Sequence, residues 1–174
     1  AGARRSRAGR MSTEADPWAR LARLTPARIG LGRAGSGLPT REVLRFGLAH
    51  AQARDAVHTP LDAEAVSAGL AALGFETLRV TSAAPDRATY LRRPDLGRAL
   101  TEEGAAALAA RSDGPVDLAL VVADGLSARA VHEGAAGLLA AFQPHIARAG
   151  WRLAPIVVAT QARVALGDGI GAAL

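Results

Sequence analysis

Residues 116–127, Val-Asp-Leu-Ala-Leu-Val-Val-Ala-Asp-Gly-Leu-Ser, and residues 154–164, Ala-Pro-Ile-Val-Val-Ala-Thr-Gln-Ala-Arg-Val, decide the fold. The run 116–123 is almost continuously apolar, as a strand buried on both faces would be. Asp124-Gly125-Leu126-Ser127 then turns the chain into a helix reaching about residue 149, and residues 156–159 read as a second buried strand. Strand, helix, strand, helix in this order predicts an α/β fold with a Rossmann-like parallel sheet. Ligand chemistry is then expected at the carboxyl ends of the strands, residues 124–127 and 160–164. After the second strand come a short loop and the opening turns of a helix that stops at Leu174. A crossover helix carries the chain back to a further strand. The domain is therefore expected to be incomplete at its C-terminal end.

Upstream, residues 75–81 alternate apolar and polar, predicting a half-buried or edge strand. Residues 86–111 read as helix broken at Pro94. Residues 16–73 look helical, with a glycine-rich connector from Gly30 to Pro39. Asp16 caps a helix with Pro17 at its first position, Thr40 opens a long helix, Pro60 interrupts it, and Asp62 caps a third that Gly74 ends. The expected organisation is a disordered basic leader over 1–15, a helical region over 16–74, and an incomplete Rossmann-like domain over 75–174.

Charge and composition exclude several classes. The formal net charge is +5, and Arg4, Arg5, Arg7 and Arg10 supply four of those charges, leaving +1 for residues 11–174. All 21 basic residues are arginine, so the excess persists to very high pH and inflates the isoelectric point. A nearly neutral body argues against nucleic acid as a partner. Cysteine is absent, which removes disulfides and thiolate chemistry and fits a reducing compartment. No apolar run approaches the roughly 18 residues of a membrane span, and residues 1–10 lack the apolar core of a secretory signal. The sequence reads as cytoplasmic, with no membrane partner.

Four motifs have a chemical and a bland reading. Gly30-Leu31-Gly32-Arg33-Ala34-Gly35 matches the dinucleotide fingerprint, but no strand precedes it and Gly37 and Pro39 delay the next helix, so it reads as a connector. His50 and His58 lie eight residues apart, about 12 Å along a helix, too far for one ion; with Arg54 they suit a polar interface. Ser127 lacks the G-x-S-x-G elbow, so Ser127 or Asp124 reads as a helix cap. Residues 92–98, Arg-Arg-Pro-Asp-Leu-Gly-Arg, read either as a solvated turn or as an anion or interface clamp. No acid–base pair or nucleophile stands out.

From Asp16-Pro17-Trp18 to Leu174 the chain resembles the small (light) subunit of ethanolamine ammonia-lyase. The resemblance is carried by residues 27–33 (Ala-Arg-Ile-Gly-Leu-Gly-Arg), 38–40 (Leu-Pro-Thr) and 50–58 (His-Ala-Gln-Ala-Arg-Asp-Ala-Val-His). It continues through Asp86-Arg87, Tyr90-Leu91, residues 93–98 and 124–127, Arg163-Val164 and Gly167-Asp168. The family's enzyme uses adenosylcobalamin, through an adenosyl radical, to convert ethanolamine into acetaldehyde and ammonia. The resemblance implies a large TIM-barrel subunit that binds substrate, as partner in a hetero-oligomer of several large–small pairs. The small subunit helps enclose the cobalamin, so no catalytic residue and no metal ligand is expected on this chain. One cofactor contact carries over, to Val164, with residues 124–127 as a neighbouring candidate. The family's further contacts, among them a glutamate in a Gly-Glu-Arg-Pro-Gly segment, are expected past Leu174. Some members occupy a bacterial microcompartment through an N-terminal extension; residues 1–10 lack the apolar face of such a helix. The alternative is a non-catalytic binding or assembly module of the same ancestry that no longer holds cobalamin.

Overall fold

A computed structural model describes residues 17–112 and 114–174. The expected leader over 1–15 and the cap at Asp16 lie outside the described residues. Contacts divide the chain after His50.

The first unit holds α1 (Pro17–Leu21), a 3₁₀ turn (Ala22–Leu24) and the first half of α2 (Thr40–His58). The glycine-rich stretch between them carries only an isolated bridge, Ala34 to Gly37, as a connector would. Gly30 has φ +61°, and a Cβ there would meet the Trp18 Cβ at 2.4 Å, so any side chain would displace the indole. Glu42 is buried and receives Arg41 Nε at 3.1 Å and Arg45 Nη1 at 3.5 Å. Arg28 lies 5.1 Å from the Phe46 ring centroid. Val43, Leu44, Phe46 and Leu48 are exposed.

The second unit is built on a three-stranded parallel sheet of order β1-β3-β2: β1 is Thr77–Thr81, β2 Val121–Ala123 and β3 Ile156–Thr160. Alternation sends successive β3 side chains to opposite faces. Ile156 and Val158 meet Leu70 of α3 (Ala63–Ala72), Phe75, and Leu139 of α6 (Ala128–Ala149). Val157 and Ala159 meet Val80, Leu108 of α5 (Glu102–Ala109), and Leu166 and Ile170 of α7 (Leu166–Ala173). A fully buried Leu or Ile contributes about 1.5–3 kcal/mol, so β3, whose residues 156–159 are wholly inaccessible, anchors both layers.

Caps set the helix bounds. Asp62, Thr101 and Ser127 accept from Ala65 N, Gly104 N and Ala130 N respectively, each three residues ahead. Asp86 caps α4 (Arg87–Arg92), and the Thr89 N–H it accepts holds its carboxyl below the usual range.

Two expectations need correcting. The run 116–123 is not a strand buried on both faces: only Val121–Ala123 form β2, half-buried and paired on one side to β3. Before β2 the pairing thins to an isolated bridge, Leu118 to Leu153, beside which Asp117 bonds Arg152 through both its carboxylate and its amide, at 2.7 and 2.9 Å. The break at Pro94 is also wider than one residue. Arg93 takes φ −120°, as the residue before proline prefers, and a 3₁₀ turn (Leu96–Arg98) fills the gap before α5. Among the described residues no helix is long and apolar enough to cross a membrane.

Candidate functional site

Parallel register gathers the carboxyl ends of all three strands at one edge. Thr81 pairs with Thr160 and Ala123 with Ala159, so the segments following residues 81, 123 and 160 lie together. Thr160 and Thr81 share a hydroxyl–hydroxyl bond of 3.0 Å there. Beside this edge is a cavity of about 1020 Å³, lined among others by Tyr90, Arg98, Ala123, Arg163, Val164 and Asp168. Its walls mix aliphatic surface with two guanidinium groups and one carboxylate.

Val164 stands where the sequence places it, on the loop between β3 and α7, and is 98% exposed. Its side chain therefore has almost no packing of its own, and the backbone alone decides where it sits.

That backbone is held by groups distant in sequence. Asp124, 4% exposed, accepts the Gln161 N–H at Oδ2 (2.9 Å) and the Ala162 N–H at Oδ1 (3.0 Å). Ser82 donates its hydroxyl to the Gln161 carbonyl at 2.6 Å, and Arg163 N–H donates to the Gly97 carbonyl at 2.8 Å. Gln161 has φ +52°, a left-handed conformation rare outside glycine and asparagine. Asp124 is thus not a helix cap; Ser127 fills that role alone, and the Asp124 carboxylate is turned toward the neighbouring loop.

Arg87 completes the arrangement. Its Nη1 lies 3.3 Å from Asp124 Oδ2 and 3.4 Å from Gln161 Oε1, and its Nε donates to the Val57 carbonyl at 2.6 Å. Val57 is in the last turn of α2, where carbonyls lack a helical partner. Tyr90, 1% exposed, lies between the guanidinium groups of Arg87 (4.6 Å) and Arg163 (4.8 Å). Burial pushes the Tyr90 hydroxyl above its usual pKa. Arg87 Nη2 and Arg163 Nε are buried without hydrogen-bond partners, and both guanidinium groups lie over the Tyr90 ring. Arg87 and Tyr90 stood out in the sequence only as carriers of the family resemblance, and Gln161 not at all; nothing local joined the three into one cluster.

The segment 92–98 resolves into two parts. Arg93 grips Asp95 with two bonds, 2.9 and 2.6 Å, at the surface, whereas Arg98 lines the cavity. The Arg93 bond holds the Asp95 carboxyl at about 2, below its ordinary 3.8. The pair is therefore expected to persist at neutral pH and to be lost only as pH falls through about 2. Carboxyl-carbon NMR titration checks this, and Arg93→Ala should return Asp95 to the ordinary carboxylate range. His132, in the second turn of α6, accepts the Asp62 N–H at Nε2 (3.0 Å) and so steadies the start of α3.

Comparison with known proteins agrees with the sequence over most of its length. The family profile of the ethanolamine ammonia-lyase light chain (EutC) matches residues 15–174. The ethanolamine ammonia-lyase small subunit of Ralstonia nicotianae is 56% identical over 159 residues, 90% of this chain and 59% of that protein. The small subunit of Pseudomonas syringae pv. tomato is 54% identical over 160 residues, covering 90% of this chain and 56% of its own length. That of Xanthomonas campestris pv. campestris is 53% identical over 159 residues, covering 90% and 58%. The chain thus spans less than two thirds of the length of the curated relatives it matches. By this match across nearly all of its residues, it belongs to the ethanolamine ammonia-lyase light-chain family.

Proposed function

We propose that the chain acts as the small subunit of an adenosylcobalamin-dependent ethanolamine ammonia-lyase, paired with a large subunit that holds the substrate. The family match over residues 15–174 carries this reading. The finer description of the fold belongs with it: a helical region over 16–74, and a Rossmann-like domain from 75 whose strand ends face the cofactor. The exposed apolar side chains Val43, Leu44, Phe46 and Leu48 suit a chain that works in an assembly.

The cavity at the strand ends fits the cofactor's chemistry. A corrin periphery presents methyl groups and amide arms, which call for aliphatic walls together with donors and acceptors. Val121, Ala123, Leu126 and Val164 supply the first, and Arg98, Arg163 and Asp168 the second. When bound, adenosylcobalamin supplies the radical chemistry. This chain's residues contribute apolar contact at Val164, polar contact at Arg98 and Asp168, and exclusion of water from the strand-end edge.

Val164→Asp tests the reading. The residue is almost fully exposed, so the substitution should leave the melting temperature within about 2 °C of wild type, as surface changes do. A carboxylate facing an apolar ligand edge should weaken cobalamin binding by the co-expressed subunit pair about tenfold or more, about 1.4 kcal/mol. Equilibrium dialysis with hydroxocobalamin measures it. Unchanged affinity would remove Val164 from the site. A pair that assembles but binds no cobalamin would favour the assembly-module alternative.

A further inference from the structure

Resting on the cobalamin reading above, we propose that Asp124 is a positioning residue: its buried carboxylate, braced by Arg87, fixes the turn 161–163 and thereby sets where Val164 stands. Asp124 cannot be a direct contact of a ligand in the cavity, since it is 4% exposed and does not line it. Its two oxygens are each committed to a backbone N–H of the turn, at Gln161 and Ala162, 37 and 38 residues away in sequence.

The turn needs such a hold. Gln161 keeps φ +52°, a backbone state that persists for a non-glycine residue only where its surroundings over-determine it. Those surroundings are the Asp124 carboxylate on the Gln161 amide, the Ser82 hydroxyl on its carbonyl, and Arg87 on its side chain. Next in the chain, Arg163 N–H is tied to the Gly97 carbonyl, and Arg163 Nη2 donates to the Tyr90 carbonyl at 3.1 Å. At Val164 the backbone is still held, its carbonyl accepting the Gly167 N–H at 3.0 Å, but the side chain is 98% exposed. The hydrogen bonds thus fix the backbone on both sides of Val164 and leave its side chain to stand out as a free apolar tip. Charge strengthens the hold, because an ionised carboxylate accepting backbone N–H groups bonds more strongly than a neutral acceptor.

Asp124→Asn separates positioning from mere stability. An Asn side chain has one carbonyl oxygen and one NH₂ group, so it can satisfy one of the two amides and must set donor against donor at the other. Leu70→Ala serves as the control: Leu70 is fully buried in the cluster on the face of the sheet that packs α3 and α6, and takes no part in the turn. All variants are prepared as the complex with the co-expressed large subunit and compared by melting temperature, hydroxocobalamin equilibrium dialysis, and amide hydrogen exchange over 161–164. Asp124→Asn should speed exchange in that segment and weaken hydroxocobalamin about tenfold, about 1.4 kcal/mol. Leu70→Ala should lower the melting temperature at least as much and leave both turn exchange and affinity near wild type.

Equal loss of affinity in the two variants would overturn the proposal, as would unchanged affinity in Asp124→Asn with faster exchange. If Asp124→Asn fails to assemble, Ser82→Ala replaces it. That variant deletes the 2.6 Å bond to the Gln161 carbonyl and should raise the dissociation constant about threefold, with faster turn exchange. No change in either for Ser82→Ala overturns the proposal equally. A wild-type complex that binds no hydroxocobalamin overturns the cofactor reading, and with it the role assigned to Asp124. A failure confined to the variants overturns the positioning role alone.

Discussion

Tyr90→Ala is expected to destabilise the chain by about 3–5 kcal/mol, the range for deleting a large buried aromatic side chain. The ring is 1% exposed and lies between two guanidinium groups, 4.6 and 4.8 Å from its centroid. Its loss would leave a cavity, and also two arginine groups without the π face that accompanies their burial. The site cannot collapse easily. A Cβ at Gly97 would come within 3.0 Å of both the ring and Arg163, so the ring is packed directly against backbone there. Tyr90→Phe should cost far less, about 1 kcal/mol or below, because the hydroxyl makes only a long 3.4 Å bond to the Ala162 carbonyl. Urea unfolding followed by circular dichroism distinguishes the two. A small effect of Tyr90→Ala would mean that the arginines close over the gap, which the committed partners of Arg87 oppose.

What was legible in the sequence was whatever local pattern determines. The alternation of residues 75–81 became β1, and the caps at Asp62 and Ser127 lie where their side-chain chemistry puts them. The four-residue apolar core of 156–159 became a strand buried on both faces. The same assignment for 116–123 failed for a related reason. Apolarity measures what could be buried, whereas burial depends on neighbours, and among the described residues β2 has a strand on one side only.

Part of the candidate site lay beyond local pattern altogether. Val164 was named from resemblance, and its place on a strand-end loop follows from the order of elements. The Asp124 carboxylate looked like a cap because aspartate before a helix usually is one. Only register, which sets Ala123 beside Ala159, shows that the residue after β2 faces the residues after β3. The left-handed Gln161 gave no signal either, since glutamine is not a residue that marks positive φ.

The second large effect is expected at Arg87, whose removal leaves Asp124 buried without its counter-charge. Breaking a buried pair from one side typically costs about 3–5 kcal/mol, and both partners are shielded here, with side chains 15% and 4% exposed. Arg87→Met keeps much of the aliphatic bulk, so its effect on urea unfolding should come from lost charge and from the orphaned Val57 carbonyl. A pair that served only as an ion pair could be replaced on both sides by apolar residues at little cost. This one should not allow that. Asp124→Leu would strand the Gln161 and Ala162 amides as well as the arginine, so the double variant Arg87→Met/Asp124→Leu should remain less stable than Arg87→Met alone. The double-mutant cycle should nevertheless show a coupling of about 1–3 kcal/mol between the two sites, since each single variant includes the penalty of an uncompensated charge. A double variant as stable as wild type would show that the turn holds its shape without the carboxylate. Near-zero coupling would show that Arg87 acts through Val57 and Tyr90 rather than through Asp124.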